Sequence, residues 1–554
     1  MAIKKVQPKR QRKYIFVVGG VMSGVGKGVA SSSIALLLKA RGLKVTALKI
    51  DPYINVDAGT MNPTEHGEVF VLKDGRETDQ DMGNYERFLN TSLGGVNYMT
   101  TGSVYLDVIR KERNLEYKGK NVEVVPHIPL EVIDRIKKAS ELAHSDVTLI
   151  EIGGTVGEYQ NILFLEAIRM MKTELNGNVA VVLVSYLPVP GSIGEMKTKP
   201  TQYAARTLNS AGVFADLIIA RSVVAVDDKR KEKIASFCNV KKENVISAPD
   251  VKSIYDVPIN FEKDNISEKL CSILGMNCKG GADLDEWKKF VARSKSGKKE
   301  VKIAVIGKYF SSGDFVLSDV YLSVLEAIKY SSYAQGVKPV ISYISSQDFE
   351  KGTKKLSDLK KYDGVLIPGG FGATGVEGKI KVIKYVRENK IPYFGICYGM
   401  QLAVVEYARN VLGLKNSHTA EIDSKSPNLL IDVMPDQKEK IEKSDMGGTM
   451  RLGEYPANIL KGSMAEEAYG TRHIIERHRH RYEVNPAYIS ELEKGGVVFS
   501  GKSPDKRLME IMELPKAIHP FFMGVQFHPE FHARPLSPHP IFSAFIKASL
   551  KGKK

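Results

Sequence analysis

The chain has 554 residues, 43% of them hydrophobic and 8% aromatic, so it can bury more than one core and should be a multidomain globular protein. Its formal charge of +16 admits attraction to nucleotides, phosphates or nucleic acid without selecting among them, and much of the excess is terminal, in Lys4, Lys5, Lys9, Arg10, Arg12 and Lys13 and in Lys551, Lys553 and Lys554. Four cysteines, Cys238, Cys271, Cys278 and Cys397, are too few and too scattered for a disulfide framework, Met1 to Lys13 lacks the apolar stretch of a signal peptide, and no apolar run is long enough to span a bilayer. The expectation is a soluble, cytoplasmic chain in a reducing compartment, with no membrane role and nucleic acid an improbable partner.

Tyr14 to Val18 reads as a short strand ending in Gly19 and Gly20, a helical stretch follows through Ala40, and Val45 to Ile50 reads as the next strand. Further apolar runs at Val147 to Ile152, Val179 to Val184 and Leu217 to Ala220 alternate with charged helical segments, which predicts a mostly parallel α/β sheet covered on both faces. From Cys278 to Val301 the composition turns to Lys, Gly, Ser and Asp, and a connection is expected there. The pattern then restarts with strands at Val301 to Ile306, Gly364 to Ile367 and Ile391 to Gly395 and a helix over Leu317 to Tyr330. The predicted organisation is a basic tail 1–13, an α/β domain 14–278, a linker 279–300, a second α/β domain 301–548 and a basic tail 549–554.

Between the first strand and helix lies Gly19-Gly20-Val21-Met22-Ser23-Gly24-Val25-Gly26-Lys27-Gly28, a P-loop-type turn whose backbone N–H groups converge where a triphosphate would sit. It is a variant, with Val21 at the usual first glycine and Gly28 where Ser or Thr normally helps hold a metal. The metal must then be held elsewhere, and Asp81, in an acidic segment, and Glu151, at the end of a strand, supply the hard oxygen donors that suit magnesium. A second basic segment, Lys197-Thr198-Lys199-Pro200-Thr201-Gln202, has the composition of another phosphate site.

In the second half, Gly395-Ile396-Cys397-Tyr398-Gly399-Met400-Gln401 joins a strand to a helical pattern, a nucleophile elbow with cysteine in place of serine. Downstream, Gln526-Phe527-His528-Pro529-Glu530 ends another apolar run, so His528 can serve as base and Glu530 can fix its tautomer. Gly369-Gly370-Phe371-Gly372 offers backbone donors to an oxyanion. Together these predict an amide hydrolase.

The chain resembles the CTP synthases from Tyr14 to about Ala548. The strings that carry the likeness are Lys49-Ile50-Asp51-Pro52-Tyr53-Ile54-Asn55-Val56-Asp57, His66-Gly67-Glu68-Val69-Phe70, Glu151-Ile152-Gly153-Gly154-Thr155-Val156-Gly157, Lys197 to Gln202, and Arg477-His478-Arg479-His480-Arg481-Tyr482-Glu483-Val484-Asn485. The resemblance implies an N-terminal amidoligase that phosphorylates O4 of UTP with ATP and Mg2+, and a C-terminal class I glutaminase that feeds it ammonia through an internal tunnel. It also implies GTP activation, CTP inhibition, and a homotetramer that in some relatives forms filaments.

By position, the resemblance assigns Ser23, Gly24, Val25, Gly26, Lys27, Gly28 and Val29 to the ATP loop, with Ser23 also reaching the UTP side, and Asp81 and Glu151 to magnesium. Lys49 faces the phosphates, and Asp250 and Val251 meet adenine. Lys197, Thr198, Lys199, Pro200, Thr201, Gln202 and Lys233 form the UTP site, shared in part with CTP, whose ribose and base are read by Glu158, Tyr159 and Gln160. Pro63, His66 and Val69 mark the ammonia entrance. Cys397, His528 and Glu530 are the triad, Gly370 the oxyanion position, and Tyr398, Gly399, Met400, Gln401, Glu421 and Arg481 the glutamine site. Lys443 to Gly453 resembles a mobile lid linked to GTP.

Three features depart from the family pattern. Gly157-Glu158-Tyr159-Gln160 replaces Gly-Asp-x-Glu, Tyr398 stands where leucine is common, and the basic N-terminal tail lies outside the matched region. Two rivals share parts of the motif set: a cobyric-acid-type amidotransferase, and a filament-forming protein with a degenerate site.

Overall fold

The computed structural model describes residues 11–191, 194–278, 280–308, 311–312, 315–316, 319–434, 437 and 447–552. They divide into two compact units. The first comprises the described residues up to Asp57 with Asn84–Thr91 and Gly95–Lys288; the second comprises Ala58–Gly83, Ser92–Gly94 and the described residues from Lys289 onward.

The first unit is built on a seven-stranded sheet in the order Tyr98–Thr100, Val45–Asp51, Val147–Ile152, Lys13–Gly19, Val179–Tyr186, Leu217–Ser222, Val245–Pro249, and every pairing is parallel. Strands rich in valine and isoleucine, such as Val179–Tyr186, are buried almost end to end because helices cover both faces. The central strand Lys13–Gly19 pairs with Val147–Ile152 on one side and Val179–Tyr186 on the other, so chain order reverses there. Such a reversal opens a crevice at the C-terminal strand ends, where a ligand can enter.

The interval 279–300, expected to be a connection, contains the helix Asp285–Ser296. Trp287 is buried against Phe88 and Tyr255 at 5.0 and 6.0 Å between ring centroids, and its Nε1 donates to the Tyr255 carbonyl. The polar composition hid the burial of Leu284, Trp287, Phe290 and Val291, of which Leu284 and Trp287 belong to the first unit. The view that the cysteines are too scattered to pair is corrected for two of them: Cys271 and Cys278 form a disulfide, Cα–Cα 6.1 Å. The helix Ile266–Ile273 ends beside Gly275, whose φ of +60° turns the chain back and brings the two thiols together.

The second unit carries a nine-stranded sheet. Five parallel strands, Lys338–Ser345, Glu300–Gly307, Gly364–Ile367, Tyr393–Ile396 and Phe522–Val525, continue into the antiparallel strands Met509–Glu513, Val498–Lys502, Arg451–Ile459 and His473–His480. Ile367 lies in register with Gly395 and Ile396 with Val525, so the segments after all three strands emerge at one sheet edge. Among the described residues, no helix is long and apolar enough to cross a membrane.

Candidate active site

Two centres arise at strand ends, one in each unit. In the first, Gly24 and Gly26 take φ of +68° and +80°, and Gly26 caps the helix Lys27–Ala40. The turn leads from strand to helix with backbone conformations that suit glycine. Lys27 Nζ reaches across to the Gly154 carbonyl at 2.7 Å. That reach requires Gly19, because a Cβ there would lie 2.9 Å from Lys27 Nζ and 2.7 Å from the Gly154 oxygen.

Beside the loop, Lys49 Nζ is buried 2.8 Å from Glu151 and 3.9 Å from Asp51. Tyr85 donates to Glu151, and Tyr98 donates to Asp51 at 2.9 Å. Asp51 lies in one of the strings that carry the family likeness but has no role of its own there, and Tyr85 and Tyr98 sit in segments without a motif. A cavity of about 380 Å³ adjoins the loop, lined among others by Gly26, Val29, Arg221, Asp250, Val251 and Phe261. Asp250 and Val251 thus share a pocket with the loop. Arg221 closes it by donating to the Val25 carbonyl at 3.3 Å and pairing with Asp250.

Of the expected metal ligands, Glu151 belongs to the first unit, whereas Asp81 opens the helix Asp81–Leu89 and clusters with the second. No group of three His, Cys, Asp or Glu side chains among the described residues could hold an ion unaided. Each carboxylate by itself is an oxygen donor of the kind magnesium takes.

The segment Lys197 to Gln202 starts the helix Lys199–Ser210 with Lys199 exposed at its first turn. Thr201 Oγ1 is 2.9 Å from Ser185 Oγ, and Lys197 Nζ is 2.6 Å from Glu195, while Lys233 is exposed on the helix Asp228–Cys238. Glu158 folds back onto its own turn, accepting the Thr155 N–H at 2.8 Å and the Gln160 side chain at 3.1 Å, and Tyr159 stands 90% exposed. Ser23 is exposed in the loop.

In the second unit, Cys397 sits between the strand Tyr393–Ile396 and the helix Tyr398–Asn410 with φ 49° and ψ −100°. A non-glycine residue in that region is strained, and only tight packing sustains it. Here a Cβ on Gly399 would fall 2.3 Å from the Ile367 carbonyl, and one on Gly395 2.6 Å from Tyr393 Oη, so the flanking glycines let the strands close around the elbow.

His528 Nδ1 bonds Glu530 Oε1 at 2.7 Å, and the ring stacks on Phe531 with centroids 5.2 Å apart. Burial alone would push the imidazole pKa down; the Glu530 carboxylate and Cys397 outweigh it and raise it to about 10. A Cβ on Gly369 would lie 2.8 Å from His528 Cε1 and 3.7 Å from Cys397 Cβ, which places the glycine turn against both. Gln526 Nε2 donates to Cys397 Sγ at 3.5 Å. Gln526 lies in the string that flagged His528 but was not assigned a role.

A cavity of about 60 Å³ opens on these groups, and its lining includes Cys397, His528, Gly370, Phe371, Pro63 and Val69. Two of the three expected ammonia-entrance residues therefore border the nucleophile's cavity, while His66 lies exposed at the end of the short helix Pro63–His66. Glu421 accepts the Gly372 N–H and is raised by burial, and Arg481 donates to Gln437 at 2.8 Å. Of the expected lid, 443–446 lie outside the described residues; Arg451 pairs with Glu510 at 2.8 Å and Glu483 at 3.4 Å.

Family models match the two halves separately: residues 13–276 match the CTP synthase N-terminus and residues 316–548 the class-I glutamine amidotransferases. The chain is 50% identical over 543 residues to a CTP synthase of Thermococcus gammatolerans, covering 98% of this chain and 99% of the relative. It is 47% identical over 540 residues to a CTP synthase of Halalkalibacterium halodurans, covering 97% and 99%. Among solved structures, the glutaminase domain of Trypanosoma brucei CTPS with bound acivicin shares 35% identity over 45% of this chain and 94% of that one, with a TM-score of 0.41.

Proposed function

The chain belongs to the CTP synthase family of glutamine-hydrolysing ligases, and from that premise we propose a division of labour between its two centres. Neither a cobyric-acid-type amidotransferase nor a structural protein is favoured by relatives matched end to end.

In the second unit, the Cys397 thiolate attacks the side-chain amide carbon of glutamine. His528 protonates the departing nitrogen, Glu530 holds the imidazole, and the backbone N–H of Gly370 serves the oxyanion. Water, deprotonated by His528, then cleaves the thioester and releases glutamate. Glu421 and Arg481 suit the α-ammonium and α-carboxylate of the substrate, with Tyr398, Gly399, Met400 and Gln401 forming the pocket's floor.

In the first unit, O4 of UTP attacks the γ-phosphoryl group of ATP and ADP leaves. Ammonia adds at C4, and phosphate and a proton depart to give CTP. Lys27 and Lys49 stabilise charge on the transferring group, the loop Ser23 to Val29 cradles the ATP phosphates, and Asp250 and Val251 border the base. Lys197 to Gln202 and Lys233 take the UTP phosphates, and Glu158, Tyr159 and Gln160 face the CTP position. Mg2+, to which Glu151 would contribute an oxygen in this unit, would neutralise the phosphates; Asp81 is the other residue that the family likeness assigns to the metal. Ammonia is protonated in neutral water, so a shielded route past Pro63, His66 and Val69 supports coupling. We further place in this reading GTP as activator, a homotetramer capable of filaments, and a cytoplasmic location.

The observation that carries the glutaminase assignment is the strained Cys397 beside the His528–Glu530 pair. CTP formation is followed by absorbance with ATP, UTP and Mg2+ and either nitrogen source. Cys397→Ala abolishes glutamine-driven turnover and leaves ammonia-driven turnover intact; loss of both rates, or of neither, refutes the assignment.

A further inference from the structure

Behind the nucleophile lies a group that the mechanism does not use. Lys379, on the helix Val376–Glu388, is fully buried, and its Nζ has no hydrogen-bond partner among the described residues. An ammonium group carries three donors, and burying it unsatisfied is unfavourable. Its amine sits instead over the face of the Tyr398 ring, 4.9 Å from the centroid. Tyr398 follows Cys397 directly in sequence, and it is one of the positions where this chain departs from the common leucine.

The ring connects to the catalytic turn. Tyr398 Oη donates to the Gly372 carbonyl at 3.2 Å, and Gly372, at φ +74°, donates its own N–H to Glu421. The turn residue is thus held on one side by Tyr398 and on the other by Glu421. The same turn presses on His528 and Cys397 through Gly369. The charged and titratable groups around the amine are Lys308, Glu421 and Cys397; burial, reinforced by Lys308, brings its pKa down to about 7 against the opposing pull of Glu421 and Cys397.

We propose that Lys379 is a positioning residue for glutamine hydrolysis: its buried amine braces the Tyr398 ring, and the ring's hydroxyl fixes the Gly369–Gly372 turn against Cys397 and His528. Among the described residues the buried amine has no hydrogen-bond partner, and the Tyr398 face is the group it rests on. A shift of the turn is felt at the reacting carbonyl, where small misplacements have large kinetic effects.

The inference rests on the glutaminase reading of Cys397, and the experiment separates the two. Lys379→Met keeps the unbranched stem and removes the amine. Expected are a fall in kcat for glutamine of roughly 10- to 100-fold with KM little changed, undiminished ammonia-driven turnover, and a Tm no lower than that of the parent. Tyr398→Phe, which removes only the hydroxyl, gives a similar loss, and the double variant loses no more than the worse single one, because both act through one contact chain. Parental glutamine kinetics in either single variant, losses that multiply in the double variant, or a Tm that falls together with both activities overturns the proposal. If Lys379→Met does not fold, parental glutamine kinetics in Tyr398→Phe still overturn the proposal. None of these outcomes touches the Cys397 assignment, which stands or falls with Cys397→Ala.

Discussion

His528 Nδ1 and Glu530 Oε1 lie 2.7 Å apart, two residues from each other on a buried turn that opens the short helix Pro529–His532. The carboxylate fixes which imidazole nitrogen carries the proton and supports the cationic ring.

Glu530→Gln preserves shape and removes the charge. The neutral amide no longer opposes the burial that lowers the imidazole pKa, so the proton needed by the leaving nitrogen is held less firmly. Glutamine-driven turnover should fall by roughly 10²- to 10⁴-fold, with ammonia-driven turnover unchanged. Parallel assays with the two nitrogen sources check this, and equal losses in both would mean that Glu530 supports the fold rather than the thiolate centre.

Lys27 gives the opposite signature. Its Nζ bonds the Gly154 carbonyl at 2.7 Å, at the mouth of the glycine loop, where it is only partly buried. Lys27→Met removes the point charge and its bond to the Gly154 carbonyl while keeping the unbranched stem, and Tm measured alongside separates lost function from lost fold. CTP formation should fall by roughly 10²-fold or more with either nitrogen source, since both depend on phosphoryl transfer. A loss confined to glutamine would contradict the placement of ATP at this loop.

Much of this was legible in the sequence because the chemistry is local. The glycines around Lys27 and Cys397 mark turns that other residues would strain, and apolar runs ending in Gly19, Glu151 and Val525 locate the strand ends on which the centres sit. Contacts between distant segments left no such trace. Arg221 lies 196 positions from the Val25 carbonyl that it donates to, and Lys379 reads as an ordinary helix lysine until the Tyr398 ring is seen beneath it. The burial of Trp287 in a polar interval and the turn at Gly275 that pairs Cys271 with Cys278 have no compositional signal.

His519 should make the second unit acid-sensitive before its carboxylates are fully titrated. The ring is buried ahead of the strand Phe522–Val525, with Nε2 3.3 Å from the Val386 carbonyl and Nδ1 accepting the Phe521 N–H at 3.2 Å. Burial pushes its pKa from 6.5 down to about 4, against the opposing effect of its backbone bonds. As pH falls from 6.5 to 4 the unfolded chain takes up a proton that the folded chain refuses, so stability is lost across that window, on the order of 3 kcal/mol for a shift of this size. His519→Gln can keep both backbone bonds without titrating. Its Tm relative to the parent should therefore rise steadily as pH is lowered from 6.5 to 4, and a difference that stays constant over that range would show that His519 is not the group that titrates.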